Sequence, residues 1–246
     1  IVQGMDKMKE IQIFDENQKD IGLYTRTNTL GKEYDLVLEF ISYYREYFFR
    51  YNKRKKLAIF IEPKIESAFP DIVIASYDDG AFNQWKSVRN TINTQDLKIL
   101  TILIKNKGCK SEYLSELGFS DNQILKSLEK LIDCEMVFRS KEQWKPRRLD
   151  SYFGIKQLIA VEAKISDIKS VYSQTLMNTW FASESYALTI SKKPHDQTKD
   201  MFYEKGLGLY TKSDKFRKII PAKKMSLPTS YISLQFNEWI GKSLNL

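Results

Sequence analysis

Apolar positions predict alternating helices and strands near both ends of the chain. Residues 33–51 carry aromatic side chains at helical spacing, which predicts a long helix. Two short runs rich in isoleucine and valine, 57–61 and 71–75, predict strands. Five further segments follow after the middle of the chain: strands at 158–165, 186–190 and 207–211, and helices at 168–180 and 231–243. Strands that alternate with helices indicate an α/β fold.

A helical segment separates these two parts. Apolar residues at helical spacing predict three helices there, with N-caps at Thr94, Ser111 and Ser120. Met136–Arg139 then predicts a strand, and the basic stretch 141–148 follows it. Helix, short helix, helix and basic hairpin is the order of a winged helix-turn-helix, although small helical bundles share it.

The two patterns together predict one domain interrupted by another. We expect a discontinuous core made of residues 5–92 and 149–246. Residues 93–148 are expected to form an inserted winged-helix-like domain, because the strand pattern stops before them and resumes after them.

Composition narrows the class of protein. Of 246 residues, 42% are hydrophobic and 28% charged, which is typical of a globular protein. No apolar run approaches the roughly 20 residues of a membrane-spanning helix, so we expect no membrane partner. The polar stretch that Met5 opens has no signal core, and we therefore expect a cytoplasmic protein. With two cysteines and one histidine, the chain has too few ligands for a Cys/His zinc cluster and too few cysteines for a disulfide framework. The formal charge of +8 favours nucleic acid as a partner.

Two charged residues interrupt a strand that is otherwise apolar on both faces. In the segment 158–165, alternation places Glu162 and Lys164 on one face with Leu158 and Ala160. Such a strand is normally central in an α/β sheet, where charges are costly unless they are paired or bind a metal. The two charges therefore indicate a site.

Another acid, Asp71, opens the short apolar strand after Pro70. Alone it would be a solvated turn residue, but a second strand supplies a matching acid and lysine. The chain also holds a second Glu-x-Lys, Glu62-Pro63-Lys64. We set that copy aside because Pro63 opposes a central strand position and no apolar run follows it.

Together these residues resemble the PD-(D/E)XK nuclease superfamily, which has the restriction-endonuclease-like fold. The matching pieces are Pro70-Asp71, Glu162-Ala163-Lys164 and the helix with Gln174 that follows. The later stretch 181–188 looks like the strand approach seen after that helix in some members. The resemblance covers roughly residues 33–92 and 150–212 and implies a mixed sheet flanked by helices. Asp71 and Glu162 are farther apart in sequence than is usual in the family, and the inserted segment explains that distance.

The resemblance implies a metal-dependent phosphodiesterase site. Asp71, Glu162 and the backbone carbonyl of Ala163 would hold Mg²⁺ or Mn²⁺, since such ions prefer oxygen ligands. Lys164 would orient the attacking water or stabilise the charged transition state.

Family members often add an acid from the first helix. Glu39 is our candidate, since it lies near one polar face of that helix, and Glu33 and Glu46 stay open. Glu66, in the loop before the second predicted strand, and Gln174 are accessory candidates.

The inserted domain is a candidate for binding DNA. In a winged helix the third helix enters the major groove, where Asn and Gln read adenine edges, while basic side chains of the wing meet phosphates. A protein-interaction module is the alternative interpretation. The residues predicted to contact DNA are Asn122, Gln123, Lys126, Arg139, Lys141, Lys145, Arg147 and Arg148.

The first functional hypothesis is a Mg²⁺-dependent DNA endonuclease, with a restriction or other defence system as the setting that the resemblance suggests. A double-strand cut would favour a homodimer. The alternative is a non-catalytic DNA-binding regulator on a nuclease-like scaffold, and a third hypothesis is a protein–protein adaptor. RNA stays open as a substrate, because the same metal chemistry hydrolyses either backbone; only the major-groove argument favours DNA.

Overall fold

The computed structural model describes residues 11–26 and 30–246. Residues 5–10 of the predicted core and residues 27–29 lie outside the described residues. The chain divides into two compact units. The first unit holds the residues up to Asp78 together with Ile155–Thr229, and the second holds Asp79–Gly154 with Ser230–Leu246.

Strands and helices alternate along most of the described chain. The strands are β1 (Ile11–Phe14), β2 (Lys56–Ile61), β3 (Ile72–Tyr77), β4 (Val137–Ser140), β5 (Gln143–Pro146), β6 (Ile155–Lys164), β7 (Glu184–Ile190), β8 (Gly208–Lys212) and β9 (Phe216–Ile220). The α-helices are α1 (Lys32–Tyr51), α2 (Thr94–Lys105), α3 (Ser111–Glu116), α4 (Asp121–Asp133), α5 (Ile168–Asn178), α6 (Asp196–Glu204) and α7 (Tyr231–Asn245). Short 3-10 helices lie at Lys19–Ile21, Asp79–Phe82, Ser87–Thr91 and Leu149–Ser151.

The first unit is built on a mixed sheet in the strand order β1-β2-β3-β6-β7-β8-β9. β1 runs parallel to β2, and β6, β7 and β8 are parallel to one another, while the other neighbours are antiparallel. Helix α1 covers one face, where Phe40 and Tyr44 pack with Ile59 and Ile74. A second hydrophobic cluster forms where Val171 of α5 and Phe202 of α6 pack against residues of β7 and β8. The prediction of an α/β fold with a mixed sheet flanked by helices is confirmed.

The second unit contains α2, α3, α4, the antiparallel hairpin β4–β5 and α7. Asn93, rather than the predicted Thr94, caps α2, because the Asn93 side chain accepts from the backbone N–H groups of Gln95 and Asp96. Ser111 is the first residue of α3 and not its cap. Ser120 does cap α4, as predicted, with a reciprocal bond to Gln123.

This unit is wider than the predicted insert 93–148 because α7 belongs to it. In α7, Glu238 accepts two hydrogen bonds from the buried guanidinium of Arg89, each at 2.8 Å. Asn237 bonds the backbone of Gly154 and Tyr152. These buried contacts tie the residues that flank the predicted insert to the C-terminal helix. None of the helices in the described ranges combines the length and the apolar character needed to cross a membrane.

Candidate active site

Two adjacent strands bring Asp71 and Glu162 together. The antiparallel register pairs Ile72 of β3 with Val161 of β6, so the next positions along the two strands are Asp71 and Glu162. Because side chains alternate, both acids point away from the face on which Ile72 and Val161 pack under α1. Glu162 is 4% exposed. Strands β3 and β6 are therefore neighbours, which the sequence pattern alone could only suggest.

Hydrogen bonds fix the position of each carboxylate. The backbone N–H of Ala163 donates to Asp71 Oδ2 at 2.7 Å. Asn178, at the end of α5, donates from Nδ2 to Glu162 Oε1 at 2.6 Å and is itself buried. Because Asp71 accepts a hydrogen bond from the residue that follows Glu162, the two acids are held in a fixed position relative to each other.

Burial raises the pKa of both carboxyl groups. For Asp71, desolvation is the largest cause, opposed by the Ala163 N–H and by the charge of Lys164. For Glu162, desolvation again comes first, the charge of Asp71 raises the pKa further, and the Asn178 hydrogen bond opposes both. The pair therefore retains protons at a pH where separate, exposed carboxyl groups would be ionised.

The acid of α1 that reaches this site is Glu33, in the first turn of the helix. Lys164 Nζ donates to Glu33 Oε2 at 2.7 Å, and the Ile165 N–H lies 3.4 Å from Glu33 Oε1. This hydrogen bond is the main reason why the pKa of Lys164 is raised, so the lysine keeps its charge. The candidate Glu39 instead accepts a hydrogen bond from Lys212. Glu33, which the sequence left open, is thus the acid brought to Lys164.

A further buried acid, Glu62, extends the row. β2 pairs Ile61 with Ile72, so the next positions are Glu62 and Asp71, and the Glu62 N–H donates to the Asp71 carbonyl at 3.0 Å. The negative charge of Glu62 contributes to the raised pKa of Asp71. Sequence reasoning missed this residue because it set aside the Glu-x-Lys copy that contains it. The usable signal was its position at the end of a strand beside the Asp71 strand.

Glu62 has an unusual backbone and a cationic neighbour. Its φ is +45°, a left-handed value that non-glycine residues rarely adopt. The Glu62 carboxylate lies 3.4 Å from the guanidinium of Arg26. This guanidinium in turn lies over the ring of Phe69, 4.9 Å from the ring centroid. Arg26 is about half exposed, so a cation stands beside the acidic row.

The two accessory candidates lie in exposed positions. Gln174 is exposed on α5, one turn before Asn178. Glu66 is exposed in the turn between β2 and β3, with a φ of +54°. Asn178 was missed although it falls on the buried stripe of α5 with Val171 and Thr175, where a polar side chain needs a partner.

The residues predicted to contact DNA all lie in the second unit. On α4, Asn122 and Lys126 are exposed, but the side chain of Gln123 accepts from the Ser120 N–H at 2.9 Å and so caps its own helix. In the hairpin and after it, Arg139 stacks near Trp144, Arg147 stacks near Phe138 and Arg148 pairs with Asp150. Lys141 occupies the turn of the hairpin with a φ of +56°, and Lys145 is half-buried on β5.

Within the described residues, no three His, Cys, Asp or Glu side chains form a group that could hold a metal ion. Asp71 and Glu162 would supply two carboxylates, and any third protein ligand would come from the backbone. Comparisons with protein-family models, with curated proteins and with solved structures find no match to this chain.

Proposed function

We propose that this chain is a Mg²⁺- or Mn²⁺-dependent DNA endonuclease whose site resembles that of the PD-(D/E)XK superfamily. One observation carries the proposal: Asp71, immediately before β3, lies beside Glu162 of the adjacent strand β6, and Lys164 follows two residues after Glu162. The helix α5 follows this strand directly and contributes Asn178 to the site. Order, strand context and following helix are the features on which the resemblance depends.

The donor chemistry of the site fits a divalent cation. Asp71, Glu162 and the Ala163 carbonyl would hold the ion, and all three are the oxygen ligands that Mg²⁺ prefers. After desolvation, which is the largest cause, neighbouring carboxylates contribute to the raised pKa of both groups, and a bound cation would offset that repulsion. When bound, such an ion lowers the pKa of water and stabilises negative charge on phosphate oxygens.

The remaining residues have positioning and electrostatic roles in this proposal. The Asn178 amide and the Ala163 N–H hold the two carboxylates in place. Lys164 stays protonated because of Glu33, so it can stabilise negative charge on a phosphate bound beside the acids. Arg26 offers a second, half-exposed cation next to Glu62.

The second unit supports DNA as the substrate. Three helices followed by a hairpin is the arrangement of a winged helix, with α4 in the place of the groove-binding helix. Gly118, with a φ of +95°, makes the tight turn between α3 and α4. We propose that Asn122 and Lys126 face the bases and that the hairpin arginines and lysines face phosphates. Gln123 would have to give up its capping bond to take part.

A non-catalytic DNA-binding regulator is the second candidate, and a specific observation favours it. Lys164 already has a partner in Glu33, and each carboxylate of the pair has a hydrogen-bond donor. The same residues could therefore form a buried polar network that only stabilises the scaffold.

Plasmid cleavage in Mg²⁺ separates the two candidates. Wild type should cleave, whereas Asp71→Asn and Lys164→Ala should lose at least about 100-fold in rate, the scale of removing one electrostatic stabiliser. Lys156→Ala is the matched control, because Lys156 lies on the same face of β6 at its far end and pairs with Asp78. Salt-sensitive DNA binding without cleavage in Mg²⁺ or Mn²⁺ would support the regulator.

A further inference from the structure

The C-terminal half of α1 exposes two neighbouring tyrosine rings. Tyr47 is 44% and Tyr51 is 68% exposed. The ring of Tyr47 lies 6.3 Å from Tyr43, at 23° between planes, and 5.2 Å from Tyr51, at 58° between planes. Tyr43 is anchored against Phe216 at 5.1 Å. The row of rings therefore begins at the half-buried Tyr43, beside the core, and continues outward along the helix.

A run of cations follows these rings along the chain. Arg50 lies one turn after Tyr47, and Lys53, Arg54 and Lys55 follow the helix end. All four are exposed, and in the described chain none of their side chains has an ion-pair or hydrogen-bond partner. Between residues 40 and 61 the only acid is Glu46. We call Tyr47, Tyr51, Arg50, Lys53, Arg54 and Lys55 the tyrosine-cation surface.

We propose that the tyrosine-cation surface binds single-stranded nucleic acid. Bases stack on exposed aromatic rings, and cations beside the rings neutralise the phosphates that link those bases. A duplex hides its base faces, so paired strands could use only the cations. Phe40, Tyr44 and Phe48 are buried in the core, and the remaining aromatic residues of α1 other than Tyr47 and Tyr51 are half-buried against it. Tyr47 and Tyr51 are therefore the rings of this helix most open to a partner.

The surface lies at the opposite end of α1 from Glu33. Tyr47 lies fourteen positions after Glu33, which corresponds to about 21 Å along the helix. At about 3.4 Å per stacked nucleotide this distance spans roughly six nucleotides. The inference goes beyond the proposed function and does not need it, because binding at this surface requires neither the acids nor a cation.

The test is the affinity for a fluorescently labelled 15-nucleotide oligo(dT), measured by anisotropy in EDTA, where metal-dependent cleavage cannot interfere. Tyr47→Ala/Tyr51→Ala should weaken binding at least about fivefold, the lower limit for loss of one stacked base. Tyr203→Ala is the control, since Tyr203 is 76% exposed on α6 and has no ring neighbour in the part of the chain that the structure describes. Its affinity should equal that of wild type.

Salt dependence tests the cations separately. Arg54→Gln/Lys55→Gln should lower the slope of log affinity against log salt by about 1.4, since each single-strand phosphate contact contributes about 0.7. The tyrosine variant should keep the wild-type slope.

Several results would overturn the inference. They are no binding of oligo(dT) by wild type, unchanged affinity in the double tyrosine variant, or an equal loss in Tyr203→Ala. Binding of phosphatidylserine vesicles that depends on these residues, without binding of oligo(dT), would assign the surface to a membrane instead. Because cleavage in Mg²⁺ is assayed separately, failure of this surface and failure of the proposed nuclease are distinguishable.

Discussion

Replacing Glu162 by glutamine should stabilise the first unit at alkaline pH. The substitution removes the charge that burial and Asp71 disfavour, and the amide oxygen can still accept the Asn178 hydrogen bond. Each pKa unit by which a carboxyl is raised corresponds to about 1.4 kcal/mol. We therefore expect Glu162→Gln to increase the free energy of unfolding by about 1 to 3 kcal/mol at pH 8.

The sign of this effect depends on pH. A folded-state pKa above the unfolded value means that the folded state binds more protons. Wild-type stability should then fall as pH rises from about 4.3, the ordinary pKa of a glutamic acid, through the raised pKa of Glu162. Near pH 4 the two proteins should be equally stable, and the difference should grow toward pH 8.

Hydrogen–deuterium exchange of the β3 and β6 peptides in EDTA is the appropriate assay. It reports on the first unit alone, whereas a chain of two units need not unfold in one two-state transition. Added Mg²⁺ should stabilise wild type by about 2.7 kcal/mol at 100 times its dissociation constant. The variant, which lacks one carboxylate ligand, should gain much less.

Asp196→Asn serves as the control with the opposite sign. The Lys199 hydrogen bond lowers the pKa of Asp196, so neutralising this exposed acid should not stabilise the protein at pH 8. The reasoning would be refuted if Glu162→Gln destabilised β3 and β6 at every pH, or if its effect did not change between pH 4 and pH 8.

Two further predictions follow from named contacts. Glu33→Gln should reduce the cleavage rate and shift the alkaline limb of the pH–rate profile to lower pH, because Lys164 loses the hydrogen bond that raises its pKa. Glu39→Gln should leave the rate and the profile unchanged, and a pH–rate profile of each variant checks both expectations. Arg89→Ala should destabilise the second unit by about 3 to 5 kcal/mol, since it leaves the buried carboxylate of Glu238 unpaired. Hydrogen–deuterium exchange of the α7 peptides measures this loss of stability. The double variant Arg89→Ala/Glu238→Gln should recover part of it.

Strand periodicity was sufficient to place Glu162 and Lys164, because side-chain alternation depends on backbone geometry alone. An apolar strand with two charges could be identified without knowledge of its neighbours. The N-caps were harder to place: Asn93 and Thr94 are both good capping residues, and only the backbone conformation decides between them. β1, α6 and β9 were not predicted, and β9 is a short edge strand in which two exposed basic residues interrupt the apolar positions.

The partners of the site could not be predicted because they depend on how elements pack. Glu33, Glu39 and Glu46 lie on one helix, and sequence pattern cannot show which turn of it lies beside the end of β6. Asn178 was one turn away from the chosen Gln174, and only the face of α5 that meets the sheet distinguishes them. The C-terminal helix α7 looked like part of the core because nothing local marks it as a partner of Arg89.

The sequence argument kept the Glu-x-Lys copy at Glu162 and set aside the copy at Glu62. In the structure, however, Glu62 lies in one row with Asp71 and Glu162. β2, β3 and β6 are neighbours, so strand ends that are far apart in sequence place their acids side by side. Glu33 and Glu62 add negative charge near the Asp71–Glu162 pair and contribute to the raised pKa of Asp71, but in the described ranges no three of these side chains form a group that could hold a metal ion. Such an excess of negative charge needs compensation, which either protons or a divalent cation can supply. Burial is the largest cause of the raised pKa values, and repulsion between the acids, which a bound cation would relieve, adds to it. On Glu162→Gln, the EDTA measurements therefore test the cost of the buried charge, and the Mg²⁺ measurements test the proposed metal binding.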